Sequence, residues 1–171
     1  MNVLAAIQSR RSIRLYSDRP VEEEKLRKIL EAGRLAPSAG NMQNWRFIVV
    51  RDDELREQLT EAAYGQMFLA QPPVILVMCA TDPDGMMKCG QPKSSVDVSI
   101  ATSFMILEAT EQGLGTCWLG SFKEEMVKEI LDIPDHVRVV AMSPLGYPGE
   151  APSMRPRRKT DEVVCYDRWE N

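Results

Sequence analysis

The sequence contains few of the side chains from which catalytic centres are usually built. Its 171 residues include a single histidine, His136, and four cysteines without a C-x-x-C pair. One histidine excludes a multi-histidine metal site, and no nucleophile–base pair lies near it in the sequence. The cysteines are widely spaced, which is typical of reduced thiols: Cys79, Cys89, Cys117 and Cys165. An enzyme of this composition would take its chemistry from a cofactor.

The chain also lacks long apolar runs and an excess of positive charge. No run approaches the roughly 18 residues of a membrane span, and the N-terminus has no signal-peptide pattern. The net charge of -4 argues against a nucleic-acid or membrane-surface partner. With 44% apolar and 27% charged residues, the composition is that of one globular domain. We therefore expect a cytoplasmic protein whose ligand is a small molecule.

One cluster of positive charge stands out in this acidic chain. Residues 9–14 contain three arginines and two serines. In an extended backbone, Arg10, Ser12 and Arg14 share one face, and Arg11 lies on the other. Two guanidinium groups with a hydroxyl between them suit a phosphate monoester. The alternative interpretation is a solvated basic turn.

Apolar spacing predicts helices that alternate with strands. Helices are predicted over residues 2–8, 21–35, 53–63, 95–112 and 121–131, and strands over 46–50, 74–79, 114–119 and 137–142. Taken alone, this alternation favours a parallel doubly wound sheet. Neither G-x-G-x-x-G nor G-x-x-x-x-G-K-[ST] occurs, however, so both standard phosphate loops are missing.

Side-chain patterns give more specific expectations for three of these helices. In the first, Val3, Leu4 and Ile7 are expected to face inward. In the fourth, an apolar stripe is expected to face either the core or a subunit interface; it consists of Val96, Ile100, Phe104 and Leu107. Ser121 and Glu124 have the spacing of a capping box, which predicts the start of the fifth helix.

Three irregular segments remain open to two interpretations each. Residues 36–45 are small and polar, so they form either an ordinary loop or a close backbone approach to a flat polar ligand. Residues 81–94 are either a lid or a disordered loop. The tail is Pro-rich and basic over 149–160, and then apolar over 162–166. It is either an arm that docks on a partner subunit or a disordered terminus.

Four motifs, in the same order along the chain, resemble the FMN-dependent nitroreductase family. They are residues 10–14, residues 36–47, residues 113–120 followed by 145–148, and Arg157 followed by residues 161–164. The resemblance implies an α+β, three-layer α/β/α fold with a mixed, largely antiparallel central sheet, which replaces the parallel interpretation. It also implies an FMN-binding domain over residues 1–148 and a C-terminal arm over 149–171 that docks on the partner subunit.

The resemblance further implies a homodimer with FMN at the interface, and a set of cofactor-binding residues. Arg10 and Ser12 would hold the phosphate, with Arg155 and Arg157 closing over it. Arg14 would face the pyrimidine edge of the flavin, where a cation stabilises the anionic reduced form. The other implied residues are Pro37, Ser38, Ala39 and Asn41 of the partner subunit with Gln43 nearby, the Leu119 and Gly120 backbone near N5, Gly146 near the ring, and Arg11 and Leu145.

The activity implied by the resemblance is a ping-pong oxidoreduction. NADH or NADPH would reduce FMN, and a nitroaromatic, a quinone or an activated alkene would then accept the electrons. No side chain is expected to act as a catalytic group, and no metal is expected. One alternative is specialised flavin chemistry such as reductive dehalogenation. The other is a module that binds or senses FMN without turnover.

Overall fold

The structure is a computed structural model that describes residues 2–169. The helices are α1 (Val3–Ser9), α2 (Glu23–Arg34), α3 (Asp53–Ala62), α4 (Lys93–Glu111) and α5 (Glu124–Ile130). The strands are β1 (Trp45–Val50), β2 (Val74–Ala80), β3 (Gly115–Thr116) and β4 (Arg138–Gly146). Short 3-10 turns cover Ala39–Asn41, Met67–Leu69 and Thr160–Glu162. Every predicted helix and strand is present, with bounds that differ mainly at β3 and β4.

The four strands form one antiparallel sheet in the order β1-β2-β4-β3. Val50 of β1 lies opposite Ile75, Val74 of β2 lies opposite Leu145, and Gly115 of β3 lies opposite Gly146. A single parallel bridge, between Ser12 and Thr116, extends the sheet beyond β3. The parallel sheet suggested by alternation alone is therefore wrong, and the largely antiparallel sheet implied by the resemblance is confirmed. Apolar periodicity reports burial on both faces of a strand but not the direction of its neighbours.

Burial of both faces of β2 creates three layers. Leu76 and Met78 pack with α2 and α4 on one face of the sheet. Ile75 and Val77 pack with α3 and α5 on the other face. Alternate residues of a strand point to opposite faces, so a continuous apolar run such as residues 74–80 supplies both cores at once.

Helices α2 and α4 approach each other closely at Gly33. A Cβ at that position would lie 2.7 Å from the Met105 Sδ atom and 3.1 Å from a ring carbon of Phe47. Leu26 and Ile29 form the buried face of α2 together with Gly33. This packing fixes α4 across the centre of the sheet, with its N-terminus beside residues 36–44.

Two helices leave apolar side chains in solvent. Val3, Leu4 and Ile7 of α1 are between 51% and 73% exposed, so the expectation that they face inward is wrong for the single chain. The buried face of α4 consists of other residues: Val98, Ala101, Thr102, Met105 and Ala109. Phe104, by contrast, lies at the surface. The other three residues of the α4 stripe, Val96, Ile100 and Leu107, are half-buried in the single chain.

The predicted capping box of α5 is also wrong. The helix is capped at Lys123 without a side-chain bond, and Ser121 lies outside it. Glu124 turns away from the helix start and accepts hydrogen bonds from Arg138 Nε and Val139 N, both at 2.9 Å. The two N–H donors on β4 thus bind the Glu124 carboxylate in place of the N–H group at the start of α5. Within residues 2–169, no helix is both long enough and apolar enough to cross a membrane.

Candidate functional site

The arginine stretch, residues 10–14, is extended, as the sequence predicts, because backbone hydrogen bonds hold this segment on both sides. The Ile13 N–H donates to Thr116 O at 2.9 Å, next to the parallel bridge. On the other side, the Ser17 N–H donates to Tyr147 O at 3.0 Å and the Gly149 N–H donates to Leu15 O at 2.7 Å. Residues 12–17 therefore run between β3 and the segment that follows β4.

A cavity of about 210 Å³ opens beside this stretch. It is lined by Arg10, Arg11, Ser12, Arg14, Pro152, Ser153, Met154, Arg155 and Arg157. Five of its nine lining residues are arginines and none is acidic, so the cavity suits an anion. Residues 10–14 and the arginines of the arm are the two parts of the predicted phosphate site. They line this cavity together within one chain.

The arginines of the cavity differ in their partners. Arg11 Nε donates to Pro152 O at 3.2 Å, and its terminal nitrogen donates to Gln8 O at 2.8 Å and Arg10 O at 2.9 Å. These carbonyls bind Nε and one terminal nitrogen of Arg11, so the Arg11 side chain ties the backbone around the cavity together.

Arg14 contacts an aromatic ring that the sequence analysis did not select. Its guanidinium carbon lies 5.8 Å from the centroid of the Phe68 ring, within range of a cation–π contact. Phe68 belongs to the 3-10 turn Met67–Leu69 that follows α3. No sequence motif marks this contact, because the two residues are 54 positions apart and meet only through the fold.

A carboxylate was also missed, although it touches the arginine stretch directly. Glu150 Oε1 accepts hydrogen bonds from the Arg14 N–H at 2.5 Å and the Leu15 N–H at 3.1 Å. The acceptor therefore binds the backbone of the stretch. This geometry joins the segment after β4 to the residues that line the cavity.

Two buried side chains that can lose a proton, Tyr16 and Cys117, lie next to the arginine stretch. The Tyr16 hydroxyl donates to Ile13 O at 2.7 Å, and burial raises the pKa of Tyr16. Burial likewise raises the pKa of Cys117, against the opposing effects of Arg14 and a hydrogen bond with Ser12. Both groups are neutral at physiological pH, so neither supplies a nucleophile.

The backbone at residues 119–120 is partly committed to the sheet. The Leu119 N–H donates to Met142 O at 2.9 Å, and Leu119 O accepts from the Met142 N–H at 3.0 Å. Gly120 is exposed, and the Gln66 side chain holds the following residue through Ser121 O at 3.0 Å. Of the two predicted amides, that of Gly120 is the one left for a ligand.

The structure does not bring the predicted pair Leu145 and Gly146 into the cavity. Leu145 is 0% exposed and belongs to the core between the sheet and α4. A Cβ on Gly146 would lie 2.6 Å from Pro72 Cβ, so the close approach of Pro72 already requires glycine there. These two residues support the site from within the core.

Residues 36–44 form a tight polar loop away from the arginine cavity. Asn41 and Gln43 have φ values of 55° and 53°, and the Gln43 N–H donates to Ser38 Oγ at 3.0 Å. The Ala39 N–H donates to both carboxylate oxygens of buried Asp97, at 3.1 and 3.2 Å. None of the predicted ligands in this loop, which include Pro37, lines the cavity of the same chain.

The arm is mostly solvent-exposed in the single chain. Residues 153–169 are exposed throughout, and Trp169 reaches 87% exposure. Within the described residues, 149–169 contain the turn Thr160–Glu162 but no strand. No group of three or more His, Cys, Asp or Glu residues in the described part of the chain could hold a metal ion.

Known proteins resemble the chain in sequence and in structure. The sequence model of the Nitroreductase family matches residues 7–82 and 63–147. A protein of Archaeoglobus fulgidus, provisionally named NADH dehydrogenase/NAD(P)H nitroreductase, is 45% identical over 85% of this chain and 84% of its own. The FMN reductase [NAD(P)H] of Bacillus subtilis is 31% identical over 94% of this chain and 72% of its own.

The solved structures agree with the sequence comparisons. The NADPH:FMN oxidoreductase of Vibrio harveyi, solved in complex with NAD+, superposes with a TM-score of 0.90 at 26% identity, over 100% of this chain and 79% of the other. The family match spans residues 7–147, which include residues 10–14, 36–47 and 113–120 and the whole sheet. The chain belongs to the nitroreductase family.

Proposed function

We propose that this protein is an NAD(P)H-dependent FMN oxidoreductase. The observation that carries the proposal is the arginine cavity, whose lining combines Arg10, Arg14, Arg155 and Arg157 with Ser12. The named activities of the relatives support it, because an FMN reductase and an NADPH:FMN oxidoreductase share the fold. The bound flavin supplies the redox chemistry, in which NAD(P)H is oxidised and a small electron acceptor is reduced in turn.

The residues of the cavity fit the phosphate group of FMN. A phosphate monoester carries up to two negative charges and three acceptor oxygens, and the cavity provides Arg10, Arg155 and Arg157 for it. The Ser12 hydroxyl adds a neutral donor between Arg10 and Arg14. No side chain of the cavity lining competes as an anion, so the site favours a dianionic ligand group over a neutral one.

The remaining groups around the stretch would orient and tune the flavin. Arg14 would place a positive charge at the pyrimidine edge while its guanidinium contacts Phe68. The exposed Gly120 N–H would donate near N5, where charge changes during reduction. No side chain of the protein transfers a proton in this proposal, which agrees with the neutral Tyr16 and Cys117.

We also propose a homodimer whose interface completes the site. Val3, Leu4 and Ile7 of α1 and Phe104 of α4 are exposed apolar side chains, and a groove of about 470 Å³ lies between α1, α2 and α4. Exposed apolar patches of this kind mark protein interfaces. Residues 36–44 would then meet the cofactor of the partner subunit, because they lie outside the cavity of their own chain.

The arm would dock on the partner subunit. Strand β1 pairs with β2 on one side only, among the described residues, so its other edge offers free backbone donors and acceptors. Val163, Val164, Tyr166 and Trp169 are exposed apolar residues that need such a surface. We propose residues 1–148 as the flavin-binding domain, 149–171 as its arm, and the cytoplasm, which keeps thiols reduced, as its compartment.

The decisive experiment is the visible absorption spectrum of the purified protein, followed by anaerobic addition of NADH or NADPH. Flavin bands that bleach rapidly, and recover with a quinone or a nitroaromatic, would support the proposal. Flavin bands that do not bleach would favour a binding or sensing module. If a halogenated compound replaces the quinone as the electron acceptor, release of halide would favour specialised flavin chemistry on this scaffold.

A further inference from the structure

We propose that Glu150 is a positioning residue that fixes the two sides of the phosphate cavity at the right separation. One side of the cavity is the arginine stretch, and the other is the base of the arm, residues 150–157. Glu150 joins them through the backbone. The inference rests on the proposed function, because it concerns how the same cavity binds the FMN phosphate.

Few contacts connect the two sides. Glu150 Oε1 accepts from the N–H groups of Arg14 and Leu15, at 2.5 and 3.1 Å. The Gly149 N–H donates to Leu15 O at 2.7 Å, and Arg11 Nε donates to Pro152 O at 3.2 Å. The Glu150 side chain therefore supplies two of these four bonds.

The arm arginines depend on this anchor for their position. Between residues 153 and 159, hydrogen bonds in the described structure stay within the arm, as in the Arg157 bonds to Arg155 O at 3.2 Å and Pro156 O at 3.3 Å. Arg155 and Arg157 nevertheless line the cavity opposite Arg10. The positions of Arg155 and Arg157 are therefore set by residues 149–152, because the described hydrogen bonds of residues 153–159 all stay within the arm.

The contact with Glu150 is geometric and does not neutralise the cavity. No ion pair within 4 Å joins Glu150 to an arginine in residues 2–169. Its partners are main-chain N–H groups, so the guanidinium groups stay available for an anion. A glutamine in the same place keeps an acceptor oxygen and removes the negative charge. The acceptor and the charge can therefore be tested separately.

The test measures dissociation constants of FMN and riboflavin for the full chain by flavin fluorescence. We expect Glu150→Ala to weaken FMN binding about tenfold, the effect of losing bonds to a charged acceptor. Glu150→Gln should stay within about threefold of the original protein, and both variants should bind riboflavin almost normally. Glu162→Ala is the matched control, since Glu162 is an exposed arm carboxylate that bonds within the arm, to the Lys159 N–H at 2.9 Å.

A second background separates positioning from general destabilisation. In a protein that carries Arg155→Ala and Arg157→Ala, Glu150→Ala should cost less than threefold in FMN affinity, because the arginines it positions are gone. An equal loss in both backgrounds, or an equal loss for riboflavin, would overturn the inference. If Arg10→Ala weakens FMN binding and Glu150→Ala does not, the inference alone fails. If Arg10→Ala leaves the affinity for FMN unchanged, the phosphate assignment of the cavity fails and the inference fails with it. If the original protein does not bind FMN, the proposed function fails as well.

Discussion

Replacement of Arg10 by alanine tests the proposed phosphate site most directly. Arg10 and Ser12 lie on the cavity side of an extended segment, and the guanidinium of Arg11 next to them is held by three carbonyls. Arg10→Ala therefore removes a cation from the cavity without breaking a described bond to the fold. FMN and riboflavin differ only in the phosphate, so the pair of ligands isolates what Arg10 contributes to it.

The expected magnitude follows from the number of charges that remain. Loss of one hydrogen bond to a charged group costs about 1.5–3 kcal/mol, which corresponds to roughly 10- to 150-fold in the dissociation constant. Two other arginines assigned to the phosphate stay in place: Arg155 and Arg157. Because they still neutralise the phosphate, we expect the lower end of this range for FMN. For riboflavin, the change should stay below about threefold.

The assay is a titration of apoprotein with each flavin, followed by fluorescence quenching or calorimetry. Arg27→Ala provides a control, because Arg27 lies on the exposed face of α2 outside the cavity and pairs weakly with Glu23 at 3.7 Å. Raising the salt concentration should weaken FMN binding more than riboflavin binding. Equal losses of affinity for both flavins in Arg10→Ala would refute the phosphate assignment.

Three other predictions address the flavin edge, the arm and the buried thiols. Arg14→Gln should lower the midpoint potential of bound FMN more than Arg11→Gln does, since Arg14 would stabilise the anionic reduced flavin. Spectroelectrochemistry measures the potential of each variant. An unchanged potential in Arg14→Gln, with FMN still bound, would contradict the prediction. Deletion of residues 160–171 should weaken the dimer and lower flavin occupancy together, and sedimentation with flavin content would refute arm docking if the truncated protein stays dimeric and yellow. Burial raises the pKa of Cys79 to about 11 and also raises that of Cys117. Iodoacetamide at pH 8 should therefore alkylate exposed Cys89 and spare Cys79 and Cys117 until the pH nears the raised pKa values of these two thiols. Peptide mass mapping can check which cysteines are alkylated.

Sequence reasoning went further for the arginine stretch than for the apolar faces of the helices. Alternation in an extended segment predicted that Arg10, Ser12 and Arg14 lie together, and all three line one cavity, although Arg11 lines it as well. The same reasoning failed for Val3 and Phe104, which face solvent in the single chain. An apolar stripe reports that a face avoids water, but it does not say whether a core or another subunit covers it.

Contacts between distant segments were beyond the reach of sequence reasoning. Glu150 gives no local signal, because its acceptor role depends on two N–H groups that lie 136 and 135 positions earlier. Glu124 shows the converse, since a valid local capping pattern lost to donors on β4. Side-chain hydrogen bonds are decided by which partners the fold brings within about 3 Å. One sequence contains no direct record of those distances.

Three glycines in or next to the family motifs are required by close packing within the protein, and not by contact with a ligand. A Cβ on Gly115 would lie 2.8 Å from Ile13 Cγ1, in the segment that carries the arginines. One on Gly149 would lie 3.2 Å from Leu15 Cγ, and Gly146 faces Pro72 in the same way. These glycines let the arginine stretch and the loop before β2 lie directly against β3 and the end of β4. Each of these contacts joins segments that are far apart in the sequence, and the contacts of Gly115 and Gly149 hold the arginine stretch between β3 and the start of the arm.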